Sequence, residues 1–482
     1  MKVTKQELEK ILNKNIVALL DDKSYEVKKM KPIDLLTPNR FDLLAKYIYV
    51  KFSVMNIESS FGKEIYLEHI KAFNGFMEND ESQKMGKEAF LSSFDVVINS
   101  MKEKGFQDDS IIPLATNTTI IDGAHRLATA LYLEQDVNVI ETNIESQNFN
   151  YEYFQNRGLS SFYLDAMASE YAKLKDNVFM ILLWPSAEGK EKEFKNILHA
   201  YGDIIYQKNI YLNNEGSVHL VKQVYKTESW VGNEKNNFVG ARNKAQWCFE
   251  KKGPLRAFLF ESEKDLIEMK EEVRKLYKIG KHAVHINDTK EETLELVGML
   301  FNDNSIHYIN HALLRNFTWF ERLFQHYKNW LSDKKYDSDK FCIDGSSTLA
   351  AYGIREVRDL DYLYFGEDSI STGYKEIGCH NDELEYHTTS RDEIIFNPIN
   401  HFLLDGLKFI SLDNIKKMKQ VRNEEKDKND VKMIEAIESN KKISIPLSEK
   451  LRVLTKISYW KGRVKFFLLK IRYYLTKLKQ ND

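Results

Sequence analysis

Apolar residues arrive along most of this chain in short runs set between long charged stretches, which is the pattern of buried strands alternating with amphipathic helices. The opening MKVTKQELEKILNKNIVALL mixes charged and apolar side chains with a helical period. Helical stretches then lead to Ser110-Ile-Ile-Pro-Leu-Ala115, a short strand Thr119-Ile-Ile121, the turn Asp122-Gly-Ala-His-Arg126 and a helix from Leu127. Past Leu133 the pattern turns strand-like. The runs Val178-Phe-Met-Ile-Leu-Leu-Trp184 and Leu255-Arg-Ala-Phe-Leu-Phe260 read as buried strands, the second entered through Gly253-Pro254. Farther on, Phe341-Cys-Ile343 is a strand that ends in a Gly345-Ser346 turn. A short helix follows, and then a second strand that carries Asp359 and Asp361.

These changes of pattern predict a multidomain chain of α/β and α+β type, with blocks at 1–150, 175–310 and 311–445. At 482 residues, two to four domains is the size expectation. The segment 449–482 differs from the rest. Its apolar residues Ile457, Trp460, Val464, Phe467, Ile471, Tyr474 and Leu478 recur in steps of three and four, with Lys456, Lys461, Arg463, Lys465 and Lys470 among the basic residues between them. That is a basic amphipathic helix, suited either to an anionic membrane face or to docking on its own domain or a partner.

Charge narrows the function classes. Lys and Arg total 70 against 72 Asp and Glu, a net charge of -2, which argues against a nucleic-acid binder held by bulk electrostatics. Cys248, Cys342 and Cys379 lie far apart with no CxxC spacing, so neither a zinc site nor a disulfide framework is expected, and a reducing cytoplasm fits. No stretch reads as a secretory leader or a membrane span.

The densest chemistry lies in Ile343-Asp-Gly-Ser-Ser-Thr-Leu-Ala-Ala-Tyr-Gly-Ile-Arg-Glu-Val-Arg-Asp-Leu-Asp361. Strand residues two apart share a face, so Asp359 and Asp361 are expected to present their carboxylates together while Leu360 faces the core. Two such acids can hold the magnesium ions that bridge nucleotide phosphates. Gly345 lets backbone approach a phosphate, and Ser346 or Ser347 can donate hydrogen bonds to it. The plainer alternative is an ordinary turn followed by solvated edge-strand acids.

The segment resembles the Gly-Ser…Asp-x-Asp signature of the polymerase β-like nucleotidyltransferase superfamily, especially its abortive-infection toxin members. That likeness covers about 100 residues. It implies a mixed-sheet nucleotidyltransferase domain, with Asp359 and Asp361 as catalytic and metal-binding residues, a third acid at Glu385 or Glu393, and a phosphate-binding lysine on a later helix at Lys426. Magnesium and ATP or another nucleoside triphosphate are the implied cofactors.

Upstream, Asp122-Gly-Ala-His-Arg126 joins a strand to a helix. Gly123 permits a sharp turn there, and His125 and Arg126 can clasp a phosphate, though Asp122 can equally serve as a simple cap. The segment is similar to the phosphate loop of the ParB/sulfiredoxin superfamily, and in the form Asp-Gly-x-His-Arg to its free serine kinases. The likeness implies nucleotide binding at Gly123, His125 and Arg126, with Asp122 as the catalytic acid. Ala124 stands where sulfiredoxin has cysteine, so sulfinic chemistry is not expected.

In the middle block, His285 precedes a helix capped by Asp288 or Thr289. This segment resembles the loop of nucleoside diphosphate kinases, which implies a ferredoxin-like fold and a nucleophilic His285. Trp184-Pro185 replaces that family's Lys-Pro, so a phosphate-binding cation is missing and lost or altered activity is expected.

Together these features lead to the expectation of a cytoplasmic enzyme that transfers phosphoryl or nucleotidyl groups to a small hydroxylated or phosphorylated acceptor. A role in bacterial cell-surface polysaccharide synthesis fits, with 449–482 at the inner face of the membrane. Two rivals share the residues: a toxin-like nucleotidyltransferase that modifies RNA or protein, and a regulatory scaffold that binds nucleotide without turnover.

Overall fold

The computed structural model describes residues 2–78, 84–366 and 370–439. The basic stripe 449–482 and the membrane contact expected of it lie outside the described residues. Within them the chain is mixed α/β, with nineteen α-helices and several small sheets. Among the described residues no helix is long and apolar enough to cross a membrane. The chain divides into two compact units. One takes residues up to 179 with 202–207 and 258–263, and the other takes 180–201, 208–257 and the residues from 264 on.

In the first unit a three-stranded sheet has Val137–Glu141 at its centre, antiparallel to Lys28–Met30 and parallel to Ile112–Leu114. The helical pattern of the first twenty residues breaks up into a strand Lys2–Thr4 and helices Lys5–Leu8 and Lys14–Leu19. Local capping explains the breaks: Thr4 forms a capping box with Glu7, and the Asn13 side chain accepts from the amide of Asn15. The strand expected at Thr119–Ile121 is reduced to a single bridge between Leu114 and Ile120. A tight turn with Thr118 at φ 62° leaves no room for a longer ladder.

The two long apolar runs form the neighbouring strands Val178–Leu183 and Leu255–Glu261. With Asp203–Ile210 and Val284–Ile286 outside them they make a four-stranded sheet.

In the second unit five strands run in the order Ile377–Cys379, Leu360–Tyr364, Phe341–Asp344, Leu407–Ile410, His401–Leu404. The central strand Phe341–Asp344 is antiparallel to Leu360–Tyr364 and parallel to Leu407–Ile410. Helix Thr318–Lys334 buries Phe320, Leu323, Phe324, Tyr327, Trp330 and Leu331, spaced three and four apart as a helix face requires. Its rings meet the sheet at Phe341, Tyr362 and Phe409, with centroids 5.8, 5.2 and 5.5 Å apart. Since side chains alternate along a strand, this packing commits Phe341 and Tyr362 to one face and leaves Asp344 and Asp361 on the other.

Candidate nucleotide and metal site

Antiparallel register sets Asp344 directly opposite Asp361. Side chains of such a pair stand side by side on one face, and two like charges there destabilise the sheet unless something compensates. Two imidazoles do so in part. The His387 ring nitrogen Nε2 lies 3.2 Å from Asp344 Oδ2, and His380 Nε2 lies 3.0 Å from Asp361 Oδ1. Asp344 is only 2 % exposed, yet its Oδ1 has no hydrogen-bond partner. Asp359 sits one residue ahead of the strand and is exposed.

The titration directions follow from these neighbours. Burial pushes the Asp361 carboxyl above its ordinary value, His380 opposes the shift, and the carboxylates of Asp359 and Asp344 add to it. Burial acts the same way on Asp344, but the hydrogen bond and charge of His387, joined by the Gly345 backbone and His380, outweigh it and hold that carboxyl below its ordinary value. Burial disfavours charge on His380, while the Asp361 hydrogen bond and the surrounding carboxylates hold its pKa above the ordinary imidazole value.

The turn beside these acids depends on Gly345. Its φ is 65°, and an added Cβ would come within 2.9 Å of Asp361 Oδ2. The next residue, Ser346, accepts a hydrogen bond at Oγ from Arg355 Nη2, 2.8 Å away. Arg355 in turn grips Asp430 through Nε and Nη2 at 2.7 and 2.8 Å, and the buried Lys419 pairs with Asp430 at 2.8 Å and Asp427 at 3.3 Å. Arg422 closes the chain on Asp427 at 2.7 Å. Ser347 Oγ is buried without a hydrogen-bond partner. It opens helix Ser347–Ala351, whose five residues are too few to bring much macrodipole.

The residues named from sequence are therefore placed unevenly. Gly345, Ser346, Ser347 and Asp361 gather at one strand end, with Asp359 close enough for its charge to act on Asp361. Lys426, expected to meet phosphate, extends into solvent and pairs with Glu424 at 2.9 Å; the lysine that reaches Asp430 is Lys419. Glu385 lies exposed on the 3-10 turn Leu384–Tyr386, and Glu393 accepts a hydrogen bond from Asn397. Opposite Asp361 stands Asp344, the last residue of its strand, which is absent from the site residues expected from sequence. An acid closing a buried strand immediately before a Gly-Ser turn was the available signal. His380 and His387 offered none, because loop residues have no period.

Among the described residues no group of three or more His, Cys, Asp or Glu is gathered into a metal cage. Magnesium asks for less than a cage: it keeps several waters and takes one or two carboxylates together with substrate phosphates.

In the first unit, Gly123 (φ 85°) caps helix Ala124–Leu133 without a side-chain cap, and a Cβ there would sit 3.0 Å from Arg126 Nη2. Arg126 donates to Ser110 Oγ at 2.8 Å and stands 3.8 Å from Asp122. His125 bonds the Tyr66 hydroxyl at 2.9 Å, and burial holds its imidazole well below the ordinary value. These residues border a cavity of about 420 Å³ whose wall includes Arg40, Asp42 and Lys46. Those three form a buried cluster, with Asp42 2.7 Å from Arg40 Nε and 2.8 Å from Lys46 Nζ.

His285 lies within strand Val284–Ile286, opposite Leu182, and burial lowers its pKa to about 3. The cap of the next helix is Thr289, whose hydroxyl accepts from the Glu292 amide at 3.2 Å.

Compared with family models, with curated proteins and with solved structures, the chain gives no significant match.

Proposed function

We propose that the second unit carries, from about residue 311, a magnesium-dependent nucleotidyltransferase domain whose reaction centre is the acid cluster at the Gly345 turn. The observation that carries this reading is the opposition of Asp344 and Asp361 across two strands, with Asp359 beside them and Asp344 Oδ1 buried and unpartnered. Buried like charges are costly, and His387 and His380 compensate this pair only in part, at one oxygen of each carboxylate.

The donor set suits magnesium, a hard cation that prefers carboxylate oxygen. Asp344 and Asp361 are the two carboxylates that would hold it, with the charge of Asp359 nearby. When bound, the ion supplies positive charge against the nucleotide phosphates and against the charge that develops during transfer. The rest of the work falls to the chain. Gly345 keeps the turn free of a side chain so that backbone can approach phosphate. Ser346, whose oxygen accepts from Arg355, keeps its own hydroxyl hydrogen for a phosphate oxygen. Asp430 and Lys419 anchor Arg355 from behind, so that donor is oriented before the nucleotide arrives.

The likenesses drawn from sequence enter the proposal with it: a nucleotidyltransferase domain here, a ParB/sulfiredoxin-like phosphate site at Asp122–Arg126, and a ferredoxin-like middle. A small-molecule kinase activity in the first unit is the second reading. The buried Arg40 and Lys46 on the wall of the His125 cavity favour it.

The two chemistries attack different phosphorus atoms. Incubation with acceptor pools and nucleotide labelled separately at the α and γ phosphates separates them. Label from the α position is expected on an acceptor, abolished by Asp361→Asn and retained by Arg126→Gln. Transfer of neither label, or α transfer that survives Asp361→Asn, contradicts the proposal.

A further inference from the structure

Apart from the acid cluster, the second unit holds a cavity of about 900 Å³ beside His285. Its walls come from helix Val239–Cys248, helix Ile267–Tyr277, the 3-10 turns Ser229–Val231 and Gly280–His282, and strand Val284–Ile286. Gly240 lets one of those turns lie against its helix, for a Cβ there would overlap the Trp230 carbonyl oxygen.

Three kinds of group converge on this space. The first is cationic: Lys244, Lys270, Arg274 and Lys281 line it. Arg274 Nη1 is held by Glu271 and Lys270 by Asp288 at 3.3 Å, while Arg274 Nε is buried with no hydrogen-bond partner. The positive field reaches the cavity wall, where Lys270, Lys244 and Arg274 all disfavour charge on His285 and Asp288 alone opposes them. The second is neutral and hydrogen-bonding. His282 and His285, lowered mainly by burial to about 4 and about 3, are uncharged imidazoles at neutral pH, and His282 Nδ1 is buried without a partner. The third is aromatic: Trp230 is 42 % exposed, with its ring 5.1 Å from Tyr225, whose ring lies 5.2 Å from His285.

Carboxylates decide between ligands. Glu228, Asp288 and Glu292 also line the cavity. With Lys270 paired to Asp288 and Arg274 to Glu271, the positive charge left over suits one phosphate group, and the rim carboxylates oppose a di- or triphosphate. Carboxylates, neutral imidazoles and the amide of Asn243, another lining residue, are the groups that bond ring hydroxyls, and an exposed indole offers a flat face to a sugar ring.

We infer that this cavity is a binding site for a hexose monophosphate, with Arg274 and Lys281 on the phosphate, His282 and the rim carboxylates on hydroxyls, and Trp230 against the ring. It is separate from the acid cluster and stands whether or not nucleotidyl transfer occurs there.

Calorimetric titration of the full chain with a panel of hexose 1-phosphates and 6-phosphates, without magnesium, tests it. Free hexoses, inorganic phosphate and ADP serve as comparisons, and tryptophan fluorescence, referenced to Trp230→Phe because the chain has six tryptophans, provides the second readout. At least one hexose monophosphate should bind and change that fluorescence, about ten-fold more tightly than its free hexose, inorganic phosphate or ADP. Arg274→Gln should weaken binding about ten-fold, and so should Lys281→Gln, an exposed change that leaves the fold's circular dichroism intact. Asp361→Asn should leave it unchanged, which separates this site from the proposed transferase centre. The inference is overturned if no panel member binds, if ADP binds more tightly than every hexose phosphate, or if both cation variants bind as the parent does.

Discussion

Two charge clusters in this molecule are built on opposite principles. In the first unit Asp42 is enclosed by Arg40 and Lys46, all three side chains 4 % exposed or less, and every carboxylate oxygen is matched. Burial alone would raise the Asp42 pKa, but the two cations drive it far below the ordinary value. In the second unit the buried Asp344 faces Asp361 with the exposed Asp359 acting on it as well, one Asp344 oxygen goes unmatched, and Asp361 is pushed upward. The first cluster stabilises the fold it sits in. In the second, Asp344 is held low by its neighbours while the raised Asp361 costs stability at neutral pH, a cost that the proposed cation would offset.

The contrast is broken most forcefully at Asp42. Asp42→Asn leaves two buried cations without their counter-ion and is expected to cost about 3–5 kcal/mol in denaturant unfolding. The pH dependence has a definite sign. A carboxyl whose folded pKa is lowered contributes stability that is complete above its unfolded pKa and fades as pH falls through and below that value. The parent should therefore lose stability steeply with acid below the ordinary carboxylate range, and Asp42→Asn should flatten that slope.

Gly345→Ala comes next. Holding alanine at φ 65° costs about 1–2 kcal/mol, and its Cβ would crowd Asp361 Oδ2. Thermal unfolding should show the loss, and any α-label transfer should fall further than stability alone explains.

The smallest effect has the opposite sign. Because the folded pKa of Asp361 is raised, stability declines as pH rises through the interval from the ordinary carboxylate value to the raised one, and remains lower above it. Asp361→Asn should raise the melting temperature at neutral pH without magnesium, and the gain should vanish in acid. A destabilised Asp361→Asn at neutral pH would place this acid among the structural residues with Asp42.

How much of this was legible in the sequence depends on distance along the chain. Strand, turn, helix and strand between Phe341 and Tyr364 could be read, because apolar runs and Gly345 act locally. The runs at 178 and 255 are buried strands for the same reason. The start of the chain misled, because a helical period persists on paper where the Asn13 cap breaks it. Asp42 and Lys46 share a helix face four residues apart, a spacing that can be read, but Arg40 completes the cluster only through tertiary burial. Arg355 finds Asp430, and Asp344 finds His387, across loops and intervening elements, and no periodicity encodes such partners. Lys426 drew attention by its neighbourhood, whereas Lys419, one helix earlier, is the buried cation.

The most direct test follows thermal unfolding of the parent, Asp344→Asn and Asp361→Asn as magnesium is added with a non-hydrolysable nucleoside triphosphate. The parent should gain several degrees as the ion offsets the crowded carboxylates, and each variant should lose most of that gain. No gain in the parent, or an equal gain in all three proteins, would contradict an acid cluster built to receive a divalent cation.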